Sequence, residues 1–298
     1  ERITLRQILN HRSGLVAVDQ ALSLQDILDW EPVEQALIAQ APLWEPGTAQ
    51  GYHAVSWGLL VRAIVPRMIG RSVGTALAEV AGPLAADAFI GLPEAELDRC
   101  AALVPLGAVG GLSAVIGAMM RDGIDGRFFR NSLLRPRSAG ARAVANPKSL
   151  GAFGLTNFDL PEVRRVELPW ANLHTSARGL ARLYAPLAGD GEAFGVRIFS
   201  RDAAHRPRFS QTWSDVDLTL RKPLGWAQGF LKEEPTMFSP NPAWLGHSGT
   251  GGSLGYADPS AAISFGYTVN KMRPSVRSPT ALELSRCVYD CLGTPVLT

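Results

Sequence analysis

From about residue 224 this 298-residue chain stops reading as helices and starts reading as strands. Residues 225–230, 244–248, 253–257 and 261–270 are short runs rich in aromatic or β-branched residues, separated by Gly, Pro and Asp. That texture predicts an antiparallel meander. Residues 279–292 then return to helical spacing through Leu282, Leu284, Val288, Cys291 and Leu292.

Upstream the pattern is helical. Thr4 is placed to cap a short helix ending near Asn10, and residues 23–40 read as one or two short helices broken at Pro32. Further helices are expected over 55–69, with Pro66 late in it, over 72–80 and over 175–187. Residues 110–120, apolar and small, predict a buried helix, whereas 123–170 show little periodicity and read as irregular or lid-like. Helices, then strands, then one closing helix is an α+β order. The expected division is a mostly helical region over 1–205 and antiparallel strands with the closing helix over 206–298.

Composition narrows the function. A hydrophobic fraction of 46% against 19% charged residues suits one sizeable core, and a net charge of +2 gives no case for a nucleic-acid or acidic-membrane partner. The basic run at 135–142 reads as solvated surface. Cys100, Cys287 and Cys291 lack a framework spacing and are expected as reduced, mostly buried thiols; no residue pattern completes a metal site. No apolar run reaches the ~20 residues of a membrane helix.

Two segments carry candidate chemistry. Tyr52 follows the turn Pro46-Gly47-Thr48 and precedes a helix; the positive field of a helix N-terminus, with a nearby cation, lowers a phenol pKa and makes it a base. The plain alternative is a ring packed on the core with one hydroxyl partner. The second segment runs from Gly246 to Pro259. Its glycines imply a hairpin approached closely, in which a strand-edge N–H near Thr250 can serve as an oxyanion donor and His247 can supply a proton or positive charge. Gly251-Gly252-Ser253-Leu254-Gly255 also satisfies G-x-S-x-G, but a strand-like run follows where a nucleophile elbow needs a helix.

Together these segments resemble the serine beta-lactamase, penicillin-binding-protein and related esterase superfamily. Ile3-Thr4-Leu5-Arg6-Gln7-Ile8-Leu9-Asn10-His11-Arg12-Ser13-Gly14-Leu15 is similar to that family's "ITLRHLLTHTSGL" segment, Pro46-Gly47-Thr48 with Tyr52 to "PGTxxxY", and His247-Ser248-Gly249 to its third motif, Lys-Thr-Gly or His-x-Gly. The resemblance implies a beta-lactamase/transpeptidase-like α+β fold, an antiparallel sheet with flanking helices beside a mostly helical region. It implies acyl transfer with no cofactor, on a small-molecule ester or amide. Tyr52 and His247 take the catalytic positions, Thr250 offers its backbone N–H to the oxyanion, and Ser248, Gly249 and Asn270 are the substrate-binding positions.

The family's nucleophile is the Ser of Ser-x-x-Lys. Here the residues three before Lys148, Lys222, Lys232 and Lys271 are Ala145, Thr219, Gly229 and Thr268, and neither threonine opens a helix. The expectation is a fragment whose N-terminal strands and nucleophile helix lie outside the sequence, the alternative being a degenerate homologue that binds without turnover. Ala54 stands where the family's beta-lactamases place Asn, and His247 where they favour Lys. Both departures favour an esterase, with a beta-lactamase or D-alanyl-D-alanine carboxypeptidase as the rival.

Overall fold

The structure, a computed structural model, describes residues 3–104, 113, 116, 117, 119, 120, 124–151, 155–232, 238–272 and 278–293. It divides into two compact units that alternate along the chain: Glu1–Leu77, Phe89–His174 and Val216–Lys222 in the first, Ala78–Ala88, Thr175–Asp215 and Pro223–Thr298 in the second. The expected division near residue 205 is therefore not where the units part, because the helix Ala177–Ala188 belongs with the strands.

The first unit is helical. Thr4 caps Leu5–Leu9 through a reciprocal capping box with Gln7. Residues 23–40 give two helices, Leu24–Asp29 and Glu31–Ala39. The break falls at Trp30, whose φ of 70° no helix accommodates; Pro32 sits harmlessly in the first turn of the second helix. Val18, Leu22, Ile27, Val33, Leu59, Val163 and Leu168 form the core on which Ser56–Ile69 packs. At the start of the helix expected over 72–80, Glu167 accepts from the Val73 and Gly74 N–H groups (3.1 and 3.0 Å), placing a carboxylate there, and Ser72 Oγ accepts from the Thr75 N–H. The stretch 123–170 is less irregular than its composition suggests. It holds the helix Ile124–Leu134 and the short helices Ala139–Ala143 and Pro161–Arg165. Most of the expected helix at 110–120 lies outside the described residues; of those described, Ile116 and Met120 are exposed.

The second unit holds a six-stranded antiparallel sheet: β1 (Thr212–Ser214), β2 (Leu224–Ala227), β3 (Phe230–Lys232), β4 (Leu245–Ser248), β5 (Leu254–Asp258) and β6 (Ile263–Tyr267), neighbours in space in that order. Gln228 (φ 53°) and Gly229 (φ 90°) close the β2–β3 hairpin as a two-residue turn that matches the strand twist. The helix Ala177–Ala188 lies on β5 and β6, and sequence shows why it can: a Cβ at Gly255 would stand 2.5 Å from the Tyr184 ring, and one at Gly266 2.3 Å from the Ala177 carbonyl.

The closing helix, Pro279–Cys291, buries Ala281, Ser285 and Tyr289 and not the expected leucines; Leu284 and Leu292 are exposed. Hydrogen bonds set its rotation. Tyr289 donates to the buried Asp258 carboxylate (2.6 Å), and Ser285 meets the Tyr256 hydroxyl (2.9 Å). That rotation turns Cys287 and Cys291 outward, so these two free thiols are exposed, against expectation, and Cys100 is half-buried.

Candidate active site

The first two matched segments meet inside the helical unit. Beyond Leu5–Leu9 the chain turns at His11 (φ 57°) and Gly14 (φ 79°). No Cβ fits at Gly14, since it would lie 2.6 Å from the Trp44 carbonyl oxygen. The chain then runs beside the second segment: the Leu43 N–H donates to Gly14 O (2.8 Å), Gly47 N–H to Arg12 O (2.9 Å) and Gly51 N–H to His11 O (3.1 Å). Segments far apart in sequence thus share one backbone platform, and Tyr52 is the next residue after it.

Side chains complete the platform. The buried His53 donates from Nδ1 to Gly51 O (2.6 Å), so its Nε2 accepts from the Ser13 hydroxyl at 2.7 Å. Burial lowers its pKa to about 4, which keeps it neutral at pH 7. The His53 N–H donates to His11 Nδ1 (3.1 Å), and the His11 ring stands edge-on to Tyr52 at 5.1 Å. The Tyr52 N–H donates to Asp217 (3.1 Å), a fully buried carboxylate that also accepts from Thr219 N–H and Leu220 N–H (2.9 Å each) and from Gln50 (3.4 Å). Burial raises the Asp217 pKa, and these donors oppose the rise.

The expectation of a lowered Tyr52 pKa is corrected here. The helix begins only at Ser56, and the charge that acts on the phenol is the Asp217 carboxylate. Burial first, and Asp217 second, push the Tyr52 pKa up to about 12. Among the described residues, Tyr52 is a neutral phenol.

The third segment lies in the sheet unit. His247 and Ser248 end β4, paired with Gly255 and Leu254 of β5. The His247 Nδ1–H donates to Ser248 O (2.6 Å), and its ring stacks on Trp226 with centroids 5.7 Å apart. Gly249 N–H donates to Ser253 O (2.8 Å) and Gly252 N–H to Gly249 O (3.2 Å), closing a β-turn over 249–252. Its third residue, Gly251, has φ 96°, the type II signature. Thr250 is therefore at the exposed corner of a turn and not on a strand edge. The turn's own bond uses the Gly252 N–H and leaves that of Thr250 out of it. Asn270, with Gly251, Lys271 and Ser278, lines a cavity of about 260 Å³ at this turn. Ser253 leads into β5 and no helix starts there, so the G-x-S-x-G match has no elbow.

The structure thus places Tyr52 in one unit and His247, Ser248, Gly249, Thr250 and Asn270 in the other. His53, Ser13 and Asp217, which hold the Tyr52 segment, escaped sequence reasoning. Ser13 stands inside the first matched segment and His53 directly follows the second, so both were visible there as polar residues; Asp217 carries no local signal. No cluster of metal-ligating residues occurs among the described residues.

Comparison with known proteins bears on the family and the fold. The Beta-lactamase family model matches residues 1–288. Esterase/beta-lactamase LipL of Mycobacterium tuberculosis (strain ATCC 25618 / H37Rv) is 28% identical over 272 residues, which is 91% of this chain. The chain spans 59% of the length of that relative. Among solved structures, a family VIII carboxylesterase is 31% identical with a TM-score of 0.80, and a penicillin-binding-protein homologue from Caulobacter crescentus is 31% identical with a TM-score of 0.75. Each alignment covers 97% of this chain and 71% of the other. The α+β fold is that of the penicillin-binding-protein and beta-lactamase-like proteins, and the chain belongs to the beta-lactamase family.

Proposed function

We propose that this chain serves a serine hydrolase of the esterase type, cleaving carboxylic esters through an acyl-enzyme. The observation that carries the reading is the ordered set of three segments, at residues 3–15, 46–52 and 247–249, in a chain whose relatives are named as esterases. A serine hydroxyl attacks the ester carbonyl and loses its proton to a base, the alcohol leaves with a proton, and water then releases the acid. Tyr52 is assigned to that proton traffic, its backbone anchored by Asp217. The Thr250 N–H is assigned to the oxyanion, His247 to the catalytic position beside it as a source of a proton or positive charge, and Ser248, Gly249 and Asn270 to substrate contacts. A phenol with a pKa of about 12 needs a cation beside it to act as base. In the family that cation is the Lys of Ser-x-x-Lys. No lysine here follows a suitable Ser, so the reading places both groups outside residues 1–298.

The rival substrate is a beta-lactam or a D-alanyl peptide. Ala54 argues against both, having no side-chain group to bond an amide. The test uses the protein that carries the nucleophile, assayed on p-nitrophenyl butyrate and on nitrocefin. The expected result is ester turnover well above nitrocefin turnover, with Tyr52→Phe lowering kcat/KM at least ~100-fold and leaving Tm in place. Nitrocefin as the better substrate overturns the esterase assignment. A Tyr52→Phe variant of unchanged activity removes Tyr52 from the chemistry, and binding of ester without turnover makes the protein a non-catalytic relative.

A further inference from the structure

The arginine-rich run at 135–142, expected as solvated surface, does expose Arg135 and Arg137, and it also borders an open cavity. Ser138 caps Ala139–Ala143 by accepting the Ala141 N–H, and Arg135, Arg137 and Arg142 around this turn line a space of about 380 Å³. Arg221, from the turn that also carries Asp217, lines the same space, with Trp44 and Leu218. All these residues lie within the helical unit. The volume is that of a small-molecule site.

Four guanidinium groups and no carboxylate line this space. Arg142 is engaged outside the lining by Asp19, both of whose oxygens it meets at 2.6 Å. Among the described residues no acidic side chain forms an ion pair with Arg135, Arg137 or Arg221. Like charges held around one space repel, and an anion placed among them relieves that repulsion. Guanidinium groups also present forked donors that match phosphate or carboxylate oxygens. The indole of Trp44 and the Leu218 side chain offer the same ligand an apolar wall.

We propose that this cavity binds a small organic anion, its phosphate or carboxylate held by Arg135, Arg137 and Arg221 and its apolar body resting on Trp44. The site is independent of the hydrolytic reading. It is tested by binding, so its failure and the failure of that reading are separate results. Calorimetric titration of the protein compares phenyl phosphate, benzoate, inorganic phosphate and phenol. Phenyl phosphate or benzoate is expected to saturate one site, inorganic phosphate to bind about tenfold more weakly, and phenol not to bind. The better of the two aromatic acids identifies the acid group.

Arg137→Gln and Arg221→Asn should each weaken binding about tenfold or more. Asn suits position 221, where φ is 58°. Trp44→Phe should weaken phenyl phosphate and leave inorganic phosphate unchanged. Arg201→Gln, on an exposed arginine in the other unit, should change nothing. With circular dichroism and Tm unaltered, equal affinity in Arg137→Gln, Arg221→Asn and the parent protein overturns the assignment. So does the absence of a saturable site for every acid.

Discussion

The surroundings of Tyr52 and those of His247 are built by different means. His247, Ser248 and the 249–252 turn are held by strand pairing with 254 and 255 and by two backbone bonds within five residues. Tyr52 is held by side chains that come from afar: Asp217 bonds its N–H from 165 positions away, and His11 flanks its ring. A local, backbone-made loop tolerates changes in side chains and is sensitive to glycine geometry. A side-chain-made pocket is sensitive to the loss of a single buried acceptor, because each orphaned donor bears its desolvation cost alone.

The sharpest way to break this contrast is Asp217→Ala. It strands the N–H groups of Tyr52, Thr219 and Leu220. The expected loss is about 3 kcal/mol or more in urea unfolding, with Asn recovering part of it. A loss under ~1 kcal/mol would mean that the Tyr52 segment is held by something else.

Acid should find the same region next. The folded His53 has a pKa near 4, against 6.5 as the ordinary value. Below about pH 6.5 the unfolded chain takes up the proton first, so stability falls as pH drops from 6.5 towards 4 and levels off beneath that. The full effect is at most about 3 kcal/mol. Asp217, whose pKa is raised by burial, works in the opposite direction at low pH, so the His53 contribution is read as the difference between the parent and His53→Gln. Parallel pH–stability curves for the two proteins would refute the assignment of a buried neutral imidazole.

In the sheet, Gly255→Ala drives a Cβ into the Tyr184 ring and should cost about 1–3 kcal/mol, with no pH dependence. Smallest in stability is Thr250→Pro. A type II turn accepts proline at this corner, so Tm should hold within the change expected for ~0.5 kcal/mol. The variant removes the backbone N–H together with the threonine side chain, and the loss of the side chain is controlled by Thr250→Ala. If that N–H serves the oxyanion, kcat falls about 10²–10³-fold in the protein that carries the nucleophile. Thr250→Ala keeps the N–H and should be nearly silent in both readouts; a large activity loss for Ala and a small one for Pro would reverse the assignment.

Elements with a strong local signature were legible in sequence. Thr4 and Gln7 announce a capped helix, and the glycines from 246 to 255 announce a hairpin. Composition misled where it was averaged over a long stretch: 123–170 as a whole is rich in Arg, Pro, Gly and Asn, yet 124–134 within it, with five apolar residues of eleven, form a helix. The closing helix turns Tyr289 and Ser285 inward and leaves Leu284 exposed: the Tyr289 hydroxyl joins Ser239, Asn241 and the Ser260 and Ala261 N–H groups on the buried Asp258 carboxylate, a tertiary network that no helical periodicity announces.

By itself, then, the sequence determined the α+β order, the helix caps, the turn glycines and the three family segments, all properties of neighbouring residues and of short-range sterics. Only the tertiary structure decided that Asp217 anchors Tyr52, that His53 is neutral and buried, that Arg221 joins Arg135 and Arg137 around one cavity, and that the strands keep company with the helix Ala177–Ala188. Burial, desolvation and long-range hydrogen bonds depend on which distant segments are packed together, and no window of sequence contains that information.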